Sequence, residues 1–128
     1  MFNKATRPAI LIDLKKDRIR IYKRTLHAIG DPQYILLLVN PEDRTIVILR
    51  SDRSDQRAFH LPQARFDDKQ CIELHSKALV QNLRSMCDDW IDGYSYRIYG
   101  EVVKNEGGAQ FCISESVPTY GIRGQQNG

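Results

Sequence analysis

The sequence predicts an α+β domain, and three observations lead to that prediction. Short stretches in the first half alternate polar and apolar residues, or are wholly apolar, as β-strands do. One amphipathic helix is predicted late in the chain, at about residues 77–91, and a β-hairpin follows it. Because strands and helices do not alternate, a small β-barrel-like or swapped-hairpin N-terminal half is favoured over a wound βαβ sheet.

The chain has the size and composition of a single soluble domain. Its 128 residues are 41% hydrophobic and 27% charged. We expect a flexible arm at residues 1–8, a swapped-hairpin unit at 9–50, a helix and hairpin on the same domain at 51–116, and a disordered tail at 117–128. The longest apolar run, residues 34–39, is far shorter than the roughly 20 residues of a membrane span. With no secretory signal pattern, a cytoplasmic location without membrane contact is expected.

The first two strands are predicted at residues 9–14 and 18–22. In the second strand, Ile19 and Ile21 alternate with Arg18 and Arg20. This period of two directs the isoleucines inward and the arginines outward. Two arginines on one strand face form an array of donors that suits phosphate groups.

A short helical turn and a hairpin follow. Leu26 and Ile29 form an apolar face of the turn at 23–29, and Gly30 occupies the position at which helices often end. The strand predicted at 34–40 is almost wholly apolar, as a strand covered on both faces is. A polar turn connects it to another strand at 45–50. In so short a chain, a second subunit is a natural source of the missing cover.

The second half contains the clearest helix. After a charged connector at 51–56 and a short strand at 57–61, residues 71–75 fit either a strand or the approach to a helix. Ser76 is a good N-cap residue for the helix. The helix has one apolar stripe, which consists of Leu79, Val80, Leu83, Met86, Cys87 and Trp90. Strands at 94–103 and 109–114 then form a hairpin, and Gly100 predicts a bulge or bend.

Charge is distributed unevenly along the chain. Residues 1–65 contain 13 Lys/Arg and 7 Asp/Glu, a net charge of +6, whereas residues 66–128 contain 6 and 9, a net charge of −3. Such a division indicates either a side that faces a polyanion or self-association through opposite charges. A merely solvated surface is the simplest alternative.

No catalytic or metal site is predicted. The three cysteines are widely spaced and form no CxxC pair, so we expect reduced, mostly buried thiols and neither a structural zinc site nor a cofactor. Cys71 and His75 are the closest pairing of a thiol with a histidine, and a structural thiol is the preferred interpretation. The two glycines at 107–108 lie in a predicted hairpin turn and not before a helix, so they do not form a phosphate loop.

The succession of elements from Ile12 to Arg50 resembles the swapped-hairpin DNA-binding domain of AbrB-type regulators and MazE-type antitoxins. The spacing from Arg18 to Gly30 matches that family without a gap. The resemblance implies an intertwined homodimer whose hairpin arginines contact DNA. Tyr22 stands where the family has proline, and Leu26 and His27 stand where it has adjacent arginines.

These observations predict a homodimeric, DNA-binding transcriptional regulator that is not an enzyme. Arg18 is assigned to the interface by the resemblance, and the other contacts with double-stranded DNA are assigned from local charge and position. The predicted DNA-binding residues are Lys15, Lys16, Arg18, Arg20, Lys23, Arg24 and His27. The alternative is a protein-interaction module that uses the acidic C-terminal half.

Overall fold

The structure confirms the α+β class. It is a computed structural model that describes residues 7–61 and 71–119. Its strands are β1 (Ala9–Asp13), β2 (Arg18–Tyr22), β3 (Tyr34–Asn40), β4 (Thr45–Ser51), β5 (Phe59–His60), β6 (Cys71–His75), β7 (Ser95–Val103), β8 (Gly108–Cys112) and β9 (Val117–Pro118). Its α-helices are α1 (Lys23–Ala28) and α2 (Lys77–Ser85).

All nine strands form one curled antiparallel sheet, a half-barrel. The strand order is β5-β3-β4-β8-β7-β1-β2-β6, and β9 pairs with β7. The long strand β7 belongs to both halves of the sheet: Ser95–Tyr99 pair with β1, and Gly100–Val103 pair with β8. We call the part built from β6, β2, β1 and the start of β7 the first half-sheet. The part built from the end of β7, β8, β4, β3 and β5 is the second half-sheet.

The core lies on the inner face of the half-barrel. The alternation that predicted β2 holds, because Ile19 and Ile21 are buried there and Arg18 and Arg20 point to the opposite face. The neighbouring strands contribute every second residue, the ones that face the same side of the sheet. Val80, Leu83 and Trp90 cover these residues from the side of α2. The core residues that are almost wholly buried include Ile10, Ile12, Ile35, Ile46, Ile48, Ile98 and Phe111.

Helix α1 is anchored to the sheet by one side chain. The Thr25 hydroxyl accepts a hydrogen bond from the Ala9 backbone N–H and donates one to the Ala9 carbonyl, each 2.7 Å long. Leu26 and Ile29 are buried, as their spacing predicted. Gly30 follows with a φ of +95°, a left-handed conformation that glycine adopts without steric cost.

Helix α2 is shorter than predicted. It begins after Ser76, whose side chain accepts a hydrogen bond from the Leu79 N–H, and it ends at Ser85 instead of near residue 91. The apolar stripe is still buried or half-buried beyond that end. Trp90 leaves the helical path to stack on Tyr96, with ring centroids 4.8 Å apart, and its indole N–H donates to the Ser116 hydroxyl. This tertiary contact overrides the local helical pattern.

Several predicted elements need adjustment or lie outside the described residues. Residues 71–75 form an edge strand, which decides between the two alternatives, and the first residues of the predicted tail form β9. The predicted arm at residues 1–6 and the rest of the predicted tail, residues 120–128, lie outside the described residues, as do residues 62–70. Within one chain, β1 pairs with β2 and β3 pairs with β4. A swapped hairpin needs two chains, so it stays a prediction.

Gly100 permits the bend at which the two half-sheets meet. A Cβ at this position would lie 2.5 Å from the Phe111 ring and would also meet the Gln110 carbonyl oxygen. We therefore expect Gly100→Ala to lower the free energy of unfolding by about 3 kcal/mol, because overpacking a closely packed position commonly costs 1–3 kcal/mol. Urea denaturation measures this loss.

The matched control is Gly93→Ala. Gly93 also has a positive φ, of +87°, but no atom lies within 4 Å of the added methyl group. Its substitution should cost about 1 kcal/mol through backbone strain alone. Equal losses in the two variants would show that close packing at Gly100 is not the constraint.

Candidate nucleic-acid interface

The predicted site residues lie on the outer face of the first half-sheet or at its ends. Strand register places Arg20 opposite Leu11 in β1, and Leu11 in turn opposite Arg97 in β7. One step along the same face, Tyr22 and Tyr99 lie on either side of Ala9. The face therefore carries two rows of side chains, one charged and one aromatic.

Arg18 and Arg20 are held by carboxylates. Glu73 Oε2 accepts from Arg18 at 2.9 Å and from Arg20 at 2.8 Å, and Asp13 Oδ2 accepts from Arg18 Nε at 2.8 Å. Only 14% of the Arg18 side chain and 11% of the Arg20 side chain are exposed. We call these four residues the carboxylate–arginine network, which connects β1, β2 and β6.

The network pairs two arginines that the sequence predicted as phosphate donors. Each guanidinium already has a carboxylate partner, and phosphate would have to compete with that carboxylate. Arg20 Nε is buried and has no hydrogen-bond partner among the described residues, so it is also closed to solvent. The alternation of β2 correctly predicted the direction of both side chains. It gave no sign that Glu73, 53 positions further on, would face them.

The other predicted contacts fall into two groups. Lys15 and Lys16 are exposed in the β1–β2 turn, where both backbone N–H groups donate to Asp13 Oδ1. Lys23 and His27 are exposed on α1, and His27 Nδ1 lies 3.0 Å from Asp31 Oδ2. His27 is thus on the surface, with a neighbouring carboxylate.

Arg24 belongs to a larger group of residues, the basic–aromatic cluster, made of Arg7, Tyr22, Arg24, Arg97 and Tyr99. The Arg24 guanidinium lies 5.4 Å from the centre of the Tyr22 ring, and that of Arg97 lies 5.8 Å from it. The Arg7 guanidinium lies 5.8 Å from the centre of the Tyr99 ring. These distances are typical of cation–π contacts.

Hydrogen bonds fix the cluster in place. Arg24 Nε donates to the Arg7 carbonyl at 2.7 Å, Arg7 Nε donates to the Gly100 carbonyl at 3.3 Å, and Arg97 donates to the Tyr22 hydroxyl at 3.1 Å. Within residues 7–61 and 71–119, no carboxylate lies within ion-pair distance of these three guanidinium groups. The cluster is therefore an oriented set of cations that forms no ion pair with a described carboxylate.

Arg97 stays charged although it is half-buried. Burial lowers its pKa, but the hydrogen bond to Tyr22 and the electrostatic interactions with Tyr22 and Tyr99 more than compensate, so the pKa lies above its ordinary value. This arginine can therefore present a full positive charge beside two aromatic rings.

An open pocket adjoins the cluster at the bend in β7. Its volume is about 260 Å³. Arg7 and Tyr99 form one wall, and side chains on β7, β8 and the segment that follows β8 form the others. The polar and reactive residues that line those walls are Glu101, Gln110, Cys112 and Glu115. The pocket therefore contains a guanidinium group and an aromatic ring together with two carboxylates.

The three cysteines are free thiols in different environments. Cys71 and Cys87 are buried, whereas Cys112 is half-buried and its sulfur lies 3.1 Å from the Ser114 hydroxyl. Burial raises the pKa of Cys87, and the nearby Arg44 only partly offsets that rise. In the described part of the chain, no group of three or more metal-ligating residues could hold an ion. No described helix is long and apolar enough to cross a membrane.

A separate, acidic surface lies on the loop that follows α2. Asp88, Asp89 and Asp92 are exposed on the loop that follows α2, and Ile91, 52% exposed, lies among them. Trp90 anchors this loop, because its ring is buried and its indole N–H donates a hydrogen bond to the Ser116 hydroxyl. The surface is therefore anchored, acidic and partly apolar.

Comparison with known proteins identifies no relative: no protein-family model, curated protein or solved structure matches this chain. The class of protein is therefore defined by its fold, an α+β domain with a curled antiparallel half-barrel.

Sequence reasoning missed four members of the cluster. Arg7 falls in the predicted arm, Tyr22 marks only a departure from the family's proline, and Arg97 and Tyr99 fit a strand without a separate sign of function. A signal for the last two is present, because period-two alternation puts them on one face. Only the strand order shows that this face of β7 lies near Tyr22, with β1 between the two strands.

The carboxylate–arginine network makes a testable contribution to stability. Glu73→Gln removes the carboxylate shared by Arg18 and Arg20 and leaves two largely buried cations short of a partner. We expect the free energy of unfolding to fall by about 2 kcal/mol, below the 3–5 kcal/mol for fully buried pairs because Glu73 is 25% exposed. Urea denaturation followed by Trp90 fluorescence measures the change.

Asp92→Asn is the control for this substitution. Asp92 also pairs with an arginine, Arg84, at 2.9 Å, but its side chain is 88% exposed. Its loss should cost less than about 1 kcal/mol. If Glu73→Gln were no more destabilising than Asp92→Asn, the network would not hold the three strands together.

The accessibility of the three cysteine thiols tests the packing of the core. In the native protein we expect Cys112 to react with a thiol reagent well before Cys71 and Cys87, because those two sulfurs are shielded by the core. Mass spectrometry of peptides after brief maleimide treatment identifies the labelled position. Early labelling of Cys71 or Cys87 would contradict the packing described for β6 or for the end of α2.

Proposed function

We propose that this protein is a DNA-binding transcriptional regulator whose contacts with DNA are made by the basic–aromatic cluster together with Lys15, Lys16 and Lys23. The observation that carries the proposal is the set of three guanidinium groups, on Arg7, Arg24 and Arg97, that are oriented by hydrogen bonds and lack a described carboxylate partner. Arginine in this arrangement is well suited to phosphate groups.

The shape of the basic surface supports a polymeric ligand. Lys15 and Lys16 lie at one end of β2, and Lys23 and Arg24 lie at the other. The four residue steps of β2 separate the ends by about 13 Å. A ligand with regularly repeated phosphates can contact both ends at once, whereas a single small anion cannot. Double-stranded DNA is the ligand that we propose.

The proposal changes the roles of the predicted residues. Arg18 and Arg20 support the strand face through Glu73, and Arg24 becomes the central contact. His27 lies beside Asp31 at the margin of the surface, where the Asp31 carboxylate competes with phosphate for its ring nitrogen. Removing Arg18 or Arg20 would therefore weaken DNA binding by disturbing the fold, since neither side chain reaches the DNA itself.

We further propose that the protein acts as a homodimer, in keeping with the resemblance to AbrB-type domains. Support comes from the outer face of the second half-sheet, where Leu38 lies opposite Val47. The neighbouring pair is Leu36 and Leu49, of which Leu36 is already buried within the chain. Leu38 is 38% exposed there. Apolar residues on two paired strands form a surface that a second copy could cover, which would double the number of basic surfaces presented to DNA.

A protein-interaction module remains the second candidate, and one observation favours it. Ile91 is 52% exposed on an anchored loop and is surrounded by Asp88, Asp89 and Asp92. An exposed apolar side chain with an acidic rim suits a basic partner. Capture of a partner that survives nuclease treatment and is lost in Ile91→Asp would favour this candidate.

DNA binding is tested with Arg24→Gln. We expect the variant to bind a blunt-ended DNA duplex several-fold more weakly. The slope of log affinity against log salt should fall by about 0.9 for each phosphate that the variant no longer neutralises. Fluorescence anisotropy with a labelled duplex, repeated across a salt series, measures both quantities. Thermal denaturation confirms that the variant is folded.

Arg53→Gln is the matched control, because it removes the same charge from an exposed position in the β4–β5 loop. It should leave the affinity nearly unchanged. Equal losses in the two variants would mean that net charge alone attracts DNA and that the cluster is not the site. Absence of duplex binding by the wild-type protein at low salt would refute the proposal.

The proposed dimer is tested with Leu38→Lys. A charge on the outer face of the second half-sheet should shift the protein from dimer to monomer, because covering the new charge carries a large desolvation cost. Light scattering coupled to size-exclusion chromatography measures the mass. Val117→Lys, which alters a residue that is 46% exposed on β9, should leave the dimer intact. A wild-type monomer at all concentrations would contradict the dimer.

A further inference from the structure

We propose that the pocket at the bend of β7 accepts one unpaired nucleobase, with guanine preferred, when the adjoining basic–aromatic cluster holds the DNA backbone. This inference rests on the proposed DNA-binding function and specifies its ligand: a duplex that carries an unpaired nucleotide. Three properties of the pocket support it, namely its position, its size and the charged groups that line it.

The position of the pocket connects it to the backbone-binding surface. Arg7 and Tyr99 belong both to the cluster and to the pocket wall. A phosphate held by the cluster would therefore leave its own base within reach of the pocket. Nothing else needs to move for the base to enter, because the pocket is open to solvent on the outer face of the sheet.

The size of the pocket suits a single base. Its volume of about 260 Å³ lies just below the range of roughly 300–1,000 Å³ that is typical of pockets for drug-sized ligands. A lone planar base is smaller than such a ligand, whereas a whole dinucleotide is larger. Pockets that read unpaired bases usually stack them on aromatic rings or on arginine guanidinium planes. The paired Arg7 guanidinium and Tyr99 ring offer such a wall.

The charges in the pocket determine which part of a nucleotide can enter. Glu101 and Glu115 place two carboxylates in the same pocket as Arg7. Carboxylates repel a phosphate group, so the phosphate favours Arg24 and Arg97, which do not line the pocket, and the uncharged base turns towards the pocket. The carboxylates and the Gln110 amide make no hydrogen bond to any other described side chain or backbone group, so they are available to a ligand.

The same groups favour guanine. A carboxylate only accepts hydrogen bonds, and the Watson–Crick edge of guanine presents two adjacent N–H donors to it. The Gln110 amide can donate to the guanine O6. Thymine has a single N–H donor between two oxygen acceptors, and those acceptors would face the carboxylates. We therefore expect guanine to bind more tightly than thymine.

The experiment compares DNA hairpins that differ only in one unpaired terminal nucleotide. The four probes are a blunt hairpin and hairpins that end in an unpaired guanosine, an unpaired thymidine or an abasic residue. The abasic probe has the same phosphates as the other two tailed probes, so any difference in anisotropy-derived affinity comes from the base. We expect guanosine to bind roughly tenfold more tightly than the abasic residue, with thymidine between them.

Two variants assign the preference to the pocket. Glu101→Gln and Glu115→Gln keep the size of the side chain and remove the negative charge. They should reduce the preference for guanine over thymine and leave binding of the blunt hairpin equal to or tighter than that of the wild type. Both residues are exposed, so neither change should affect folding. Asp92→Asn, which removes a carboxylate elsewhere, should leave the guanine preference unchanged.

Cys112 reports on occupancy of the pocket directly. Its thiol lies in the pocket wall, and the other two cysteines are buried. The guanosine-tailed hairpin should slow alkylation of Cys112 by maleimide, whereas the abasic hairpin should slow it much less. Alkylation before binding should abolish the guanine preference and preserve binding of the blunt hairpin.

The outcomes separate this inference from the proposed function. Equal affinities for the guanosine, thymidine and abasic probes would overturn the inference while duplex binding stands. A guanine preference without protection of Cys112 would place the base elsewhere and would also overturn it. If no probe binds at low salt, the proposed function and the inference both fail.

Discussion

The close approach of β7 and β8 at Gly100 is the constraint on which the rest of the structure depends. Because no side chain separates Gly100 from Phe111 and the Gln110 carbonyl, one strand can serve two half-sheets that curl around a common core. Along β7, Arg97 and Tyr99 precede this bend and Glu101 follows it. The basic–aromatic cluster and the pocket therefore both follow from a position where only glycine fits.

The arginines on the outer face fall into two groups that differ in their partners. Arg18 and Arg20 have carboxylate partners that tie an edge strand to its neighbours, and this pairing removes their charge from the surface. Arg24 and Arg97 instead rest against Tyr22, which orients them without neutralising them. A cation that rests on an aromatic ring keeps its attraction for an anionic ligand, whereas a cation paired with a carboxylate largely loses it.

Much of the local structure could be predicted because it depends on neighbouring residues. Alternation located β2, an apolar run located β3, and Leu26 with Ile29 located the buried side of α1. The end of α2 could not be predicted in this way. Its apolar stripe continues to Trp90, but the stacking of that ring on Tyr96 draws the chain out of the helix.

The sequence by itself determined the α+β class, the direction of the side chains in β2 and the concentration of positive charge in the first half. Only the tertiary structure decided which of those charges are free. Glu73 meets Arg18 and Arg20 because β6 pairs with β2, and Tyr99 lies near Tyr22 because β1 separates β7 from β2 by a single strand. These neighbours are more than 50 residues apart in the chain. Periodicity specifies the face on which a side chain lies, whereas only strand order specifies what lies beside it.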